Sequence, residues 1–164
     1  DEIHNEAEAR GIRNAEASEA AKATSGRASA NEKELISWFT KVYVPIDRLL
    51  GEIINPFPKQ LRSLSADPYD DELMKSFCSY LEKSQSKIKK IDLLYRSSPI
   101  PNFAKELGLS LYQCLSQVED ALTELERYTM GYVDSYLHDG REMLRAAKQK
   151  RLQLQEKRRR LKSL

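Results

Sequence analysis

Apolar residues recur along most of this 164-residue chain at spacings of three and four. Leu35, Phe39, Val42, Ile46, Leu49 and Ile53 follow one another at 4,3,4,3,4, the stripe of a helix packed in a bundle. Asn31-Glu32-Lys33-Glu34 stands before it as an N-cap with a capping-box Glu. Pro45 falls inside the run. It lacks a backbone N–H and its ring crowds the preceding turn, so a kink is expected near Val44. Asn55-Pro56-Phe57-Pro58 is read as the end of this helix.

A second helix is expected from Asp67-Pro68, with Asp as cap and Pro at the first helical position. Met74, Phe77, Leu81, Ser84, Ile88, Ile91 and Tyr95 form its stripe, and Ser97-Ser98-Pro99-Ile100-Pro101 breaks it. A third begins near Asn102. It carries Leu111, Leu115, Val118, Leu122, Leu125, Thr129, Tyr132 and Tyr136 on the same alternation. From Val133 a further stripe runs one position later, through Leu137, Gly140, Leu144, Ala147, Arg151, Leu154, Arg158 and Leu161. Either the helix continues with a shift of register or His138-Asp139-Gly140 interrupts it. Continuation is favoured, because one Gly inside a helix costs only about 1 kcal/mol.

These elements predict an all-α fold: an antiparallel three-helix bundle over residues 32–137, with a long basic helical extension over 138–164. In length and layout residues 32–137 resemble a spectrin-type three-helix repeat, including an aromatic residue, Trp38, early in the first helix. The likeness is one of architecture and assigns no function. Residues 1–31 are rich in Ala and Glu, with Ile3 and Ile12 as their only bulky apolar side chains. They are expected to be an exposed helix to about Thr24 or a disordered segment.

Charge sharpens this picture. The formal net charge of +2 conceals a split: residues 141–164 hold ten Lys or Arg against two Glu, while residues 32–140 hold 17 acids against 13 bases. If the third helix continued, it would pass the end of a partner helix about 42 Å long near residue 131 and overhang by roughly 50 Å. An isolated helix of that kind gains little from propensity alone. Either the chain folds back at His138-Asp139-Gly140, or residues 132–161 meet another chain; the second is the reading taken, with Tyr132, Tyr136, Leu144, Leu154 and Leu161 as the interface. Leu154 and Leu161 are one heptad apart, and Arg151 and Arg158 in the same seam suit an acidic partner. Self-association is the simplest version. The alternative use of this segment is electrostatic. Arg145, Lys148, Arg151, Lys157, Arg158, Arg159, Arg160 and Lys162 form a basic patch suited to nucleic acid, or to an anionic membrane surface, by charge alone.

Candidate chemistry is sparse. No phosphate-cradling glycine motif and no Glu-x-x-His pair occurs. His4 and His138 are the only histidines. Asp134 and His138 share a face at i, i+4 but have no further clustered ligands, so an ordinary surface pair is expected rather than a metal site. Cys78 and Cys114 are expected to be buried free thiols. No catalytic residue, cofactor or metal is expected. The chain reads as a non-enzymatic structural or adaptor module that assembles with protein. With no signal peptide and no glycosylation sequon, an intracellular, cytoplasmic location is expected, and the Asp1 start is compatible with an upstream domain or membrane anchor.

Overall fold

A computed structural model describes residues 27–162. It is all helical, as expected, but four helices pack together rather than three with an extension. Helix α1 (Arg27–Trp38) runs through a π-helical turn (Phe39–Tyr43) into α2 (Val44–Ile54). A short α3 (Phe57–Ala66) leads to α4 (Asp71–Arg96), and a 3₁₀ turn (Asn102–Ala104) opens α5 (Lys105–Gly131). Helix α6 (Asp134–Lys162) then folds back along α5 and reaches α2. The expectation for most of residues 1–31 falls outside the described residues.

The physical cause of the π turn is Pro45. Without an N–H it cannot bond the carbonyl of Lys41, and its ring crowds that turn. The backbone widens there, and Val44 N–H donates to the carbonyl of Phe39, five residues back. The extra residue rotates the buried face. Val42 and Tyr43 are both fully enclosed, and Leu50 replaces Leu49 as the central contact of α2. The predicted stripe of α4 is buried from Phe77 to Tyr95, and that of α5 from Leu111 to Leu125.

Several boundaries differ from expectation. The chain is already helical at Arg27, so Asn31 lies inside α1. Pro56 and Pro58 start α3 rather than ending the helical run, consistent with Pro in a first turn, where its missing N–H is not needed. Asp70, not Asp67, caps α4: its Oδ1 accepts from Leu73 N–H at 3.0 Å, with Asp71 and Glu72 in the first turn. Asp67 accepts from Tyr69 N–H in the preceding loop.

The largest correction concerns the end of α5. The helix does not continue, and the interruption is not at His138-Asp139-Gly140, which lies within α6. Tyr132 adopts the left-handed conformation (φ 56°), the only described non-glycine residue with positive φ, and its N–H donates to the Tyr128 carbonyl at 2.8 Å. Only Tyr132 and Val133 separate the two helices. Gly140 then lets α6 lie tightly on α5. A Cβ there would come within 2.6 Å of the Leu125 side chain and 3.2 Å of the Ala121 carbonyl oxygen.

Candidate protein-interaction site

The stripe from Leu137 to Leu161 is covered by the chain's own bundle. Leu144, Ala147 and Leu154 are buried in the common core, and Tyr136, Leu137, Met143 and Leu161 pack against it. Of the five expected interface residues, then, Leu144 and Leu154 are enclosed within this chain, and Tyr136 and Leu161 are half-buried beside them. Tyr132 alone remains exposed.

The arginines of the stripe also face inward. Arg151 Nε donates to Asp47 Oδ1 at 2.9 Å, with both side chains 18% exposed. The guanidinium lies over Gly51, where a Cβ would approach Nη2 to 2.7 Å. Arg158 sits over the rings of Tyr43 and Phe39, with centroid distances of 5.3 and 5.8 Å. Those rings belong to an aromatic cluster with Trp38 beside the π turn. Lys157 Nζ donates to Ser110 Oγ at 3.1 Å.

Other members of the expected basic patch face solvent. Arg145 pairs with Glu142 at 3.2 Å, and Arg159 and Arg160 approach Glu156 at 3.5 and 4.0 Å. Lys148 is exposed, and Lys162 is the last residue of α6. The patch is thus divided. Two arginines clamp α6 to the bundle, Lys157 ties it to Ser110, and the rest line its outer face. Such exposed pairs within one helix contribute little to stability.

The thiols and the surface pair separate as well. Cys114 is buried and donates its S–H to the Ala147 carbonyl, whereas Cys78 is exposed, contrary to expectation. Burial pushes the Cys114 pKa up to about 12. His138 Nδ1 lies 3.1 Å from Arg141 Nη2. Among the described residues no group of three or more His, Cys, Asp or Glu is placed to hold a metal ion.

Exposed apolar side chains occur at several places, Ile36, Leu93, Phe103 and Leu152 among them, and one group includes a stacked aromatic pair at an end of the bundle. The two-residue turn and the loop before α4 meet there. Tyr69 and Tyr132 stack with ring centroids 5.4 Å apart, and Tyr132 meets the buried Tyr128 edge-on at 5.9 Å. Met130 is 84% exposed, Tyr69 76%, Val133 48% and Tyr132 39%. Burial, then the charge of Asp134, raises the pKa of the Tyr128 phenol above its ordinary value, and Tyr69 and Tyr132 add to the rise. Asp134 therefore stands close to this aromatic group. Residues 67–72 and 131–134, which frame it, contain five acids and no Lys or Arg.

Sequence reasoning found Tyr132 but missed Tyr69 and Met130. Tyr69 lies in a loop, where no helical period operates, and its one signal is an aromatic between Pro68 and Asp70 in a polar turn. Met130 falls off the apolar stripe of α5.

The geometry defines an all-α module of four packed helices with an exposed aromatic pair at one end. Residues 30–162 match the family model described as the cyanobacterial DnaJ chaperone, C-terminal domain. The chain belongs to that family and is a chaperone-associated helical module. No curated protein and no solved structure matches it. No helix of the described residues is long and apolar enough to cross a membrane.

Proposed function

We propose that this chain is a non-enzymatic protein-docking module of a chaperone, and that partners engage the tip formed by Tyr69, Met130, Tyr132 and Val133. The observation that supports this reading is the cluster itself. Tyr69 and Tyr132 stack at the meeting of two connections, and Met130 and Val133, within two residues of Tyr132 in sequence, are exposed as well. Tyr and Met are enriched at contact surfaces, and Met adapts to irregular partners. The left-handed Tyr132 adds weight, since strained backbone outside glycine concentrates at functional positions.

The acids around the tip set the kind of partner. Asp67, Asp70, Asp71, Glu72 and Asp134 favour an apolar segment flanked by Lys or Arg, which they would attract and orient. Residues 141–162, which carry the basic outer face of α6, contain no aromatic, so charge alone supports a nucleic-acid or membrane role for it.

Fluorescence anisotropy with a labelled peptide, apolar at its centre and Lys/Arg-rich at its ends, tests the reading. Tyr69→Ser with Met130→Ser should weaken binding about tenfold or more, equivalent to at least ~1.4 kcal/mol. Both side chains are mostly in solvent, so the denaturation midpoint should hold. Unchanged affinity in that double variant, or affinity lost instead on replacing Arg145 and Lys148, overturns it.

A further inference from the structure

The connection between α5 and α6 carries a second consequence. Closing it requires Tyr132 to sit at φ 56°, a conformation L-residues avoid and glycine tolerates. Yet the glycine is at 131, one position early, and lies within helix α5. No proline follows Pro101. The apolar alternation of α5 runs past the turn to Tyr132 and Tyr136 without a gap. Nothing in residues 129–136 forbids a continuous helix. The closed turn is held from outside, by what α6 packs against.

We propose that α6 exchanges between two copies of this chain, so that Asp134–Lys162 of each seats on the α2 and α5 helices of the other. The turn at Tyr132–Val133 is the hinge. Opening it removes the left-handed residue from Tyr132 and lets the chain propagate as helix. Every contact that holds α6 in the monomer then forms between copies: Gly140 on Leu125, Cys114 with the Ala147 carbonyl, Arg151 with Asp47, Arg158 over Tyr43 and Lys157 with Ser110. This is the condition for domain swapping: one interface, made within a chain or across two, joined by a short strained hinge.

The occupant must be a second copy because the face of α6 is so specific. Its two inward arginines need an acid at the position of Asp47 with a glycine at the position of Gly51, and an aromatic pair eight residues before them, at Phe39 and Tyr43. The same chain supplies all of these. Straightening the hinge also brings the two tips together on the symmetry axis, so exchange would hide the aromatic surface. The five acids on each tip oppose that approach at neutral pH and low salt.

Light scattering across a concentration series reads the exchange. Because α6 must leave its seat, each sample is first brought briefly into partial urea denaturation and returned. The intact chain should show a species of twice its 18.9 kDa mass, growing with concentration and salt. Tyr132→Gly accepts the closed turn without strain and should lower the dimer fraction several-fold. Gly131→Ala with Val133→Ala should raise it several-fold, since a Cβ at Gly131 meets nothing closer than Val133 Cγ2 at 3.9 Å. A purely monomeric mass for both the intact chain and that pair overturns the proposal.

Cross-linking separates exchange from ordinary surface dimerisation. In a Cys78→Ser, Cys114→Ser background, copies carrying Ser110→Cys are mixed with copies carrying Lys157→Cys and treated with a short bismaleimide. Exchange predicts a covalent dimer, and a dimer that does not cross-link refutes exchange. The docking reading is scored separately, by peptide binding to the monomer fraction of the unaltered chain, isolated by size exclusion without the urea step.

Discussion

Replacing Arg151 by Met tests how α6 is held. Arg151 Nε and Asp47 Oδ1 are 2.9 Å apart, and each side chain retains 18% of its exposure. At an effective dielectric of about 20, opposite charges roughly 3 Å apart attract by about 5–6 kcal/mol. Dehydrating two mostly enclosed ions offsets several kcal/mol of this, so the net value of the pair is small. The single variant is different, because it leaves the mostly enclosed Asp47 without its cation. Breaking a fully buried pair costs about 3–5 kcal/mol. The residual exposure here lets water reach the orphaned carboxylate, which reduces the expected loss to about 2–3 kcal/mol. Asp47→Asn combined with Arg151→Met removes both charges and keeps the volume. That variant should return to within about 1 kcal/mol of the parent, giving a coupling energy near 2 kcal/mol. In urea, with a slope of about 2 kcal/mol/M, Arg151→Met should lower the midpoint by about 1–1.5 M at unchanged slope. A loss under about 0.5 kcal/mol for the single variant, or strictly additive effects in the double, would show that the pair is a solvated surface contact and would refute the clamp.

Two further outcomes follow from the packing. Gly140→Ala gains about 1 kcal/mol of helix propensity but sets its Cβ 2.6 Å from Leu125 inside a closed interface, where overpacking costs about 1–3 kcal/mol. The net should be a loss near 1 kcal/mol, deepening with Gly140→Val, and a stabilised Gly140→Ala would refute the tight crossing of α5 and α6. Alkali should also destabilise the fold. Burial raises the pKa values of Cys114, Tyr43 and Tyr80 above their unfolded values, so the stability they contribute is complete below about pH 9 and is lost as pH rises toward the folded values, about 12 for Cys114. A flat midpoint between pH 8 and 11 would count against this. At pH 8 a thiol reagent should modify Cys78 at once and Cys114 only on unfolding, because Cys78 is exposed and Cys114 is buried in the core.

Periodicity made most of the fold legible. Phe77, Leu81, Ser84, Ile88, Ile91 and Tyr95 were readable as one face because an α-helix of 3.6 residues per turn brings those positions together, and all six are buried. The same count failed where the backbone left that period. The π turn adds a residue that spacing rules cannot register, though the neighbouring pairs Trp38-Phe39, Val42-Tyr43 and Ile53-Ile54 announce a face broader than one stripe. The turn at Tyr132 was illegible for a different reason. It uses neither glycine nor proline at the decisive position, and what stabilises it is the cover that α6 finds. Met130 and Tyr69 became a site only when two distant connections met, which no local pattern encodes.

The stripe of α6 was therefore readable and its cover was not, and the arginines explain why that cover is so particular. Leu144, Ala147, Leu154 and Leu161 alone would tolerate sliding by a heptad, since each apolar position would meet another. Arg151 and Arg158 remove that freedom. Slid by seven residues toward one end, α6 would carry Arg158 to Asp47 and drive Arg151 against the apolar end of α2 without a partner. Slid the other way, Leu144 would face Asp47 and leave its carboxylate unpaired. In each case one charge is stranded in a partly enclosed seam, which costs more than the pair contributes when made. Within one chain the two-residue turn and the seat of Gly140 on Leu125 already fix the register, so the choice made by the arginines matters once the turn opens and α6 seats on a second copy. The Asp47→Asn, Arg151→Met variant separates the two roles. It should keep most of the stability of the monomer while losing the single register in the exchanged dimer, and broadened amide resonances from α6 in the dimer, with a nearly unchanged urea midpoint for the monomer, are the expected sign of that loss.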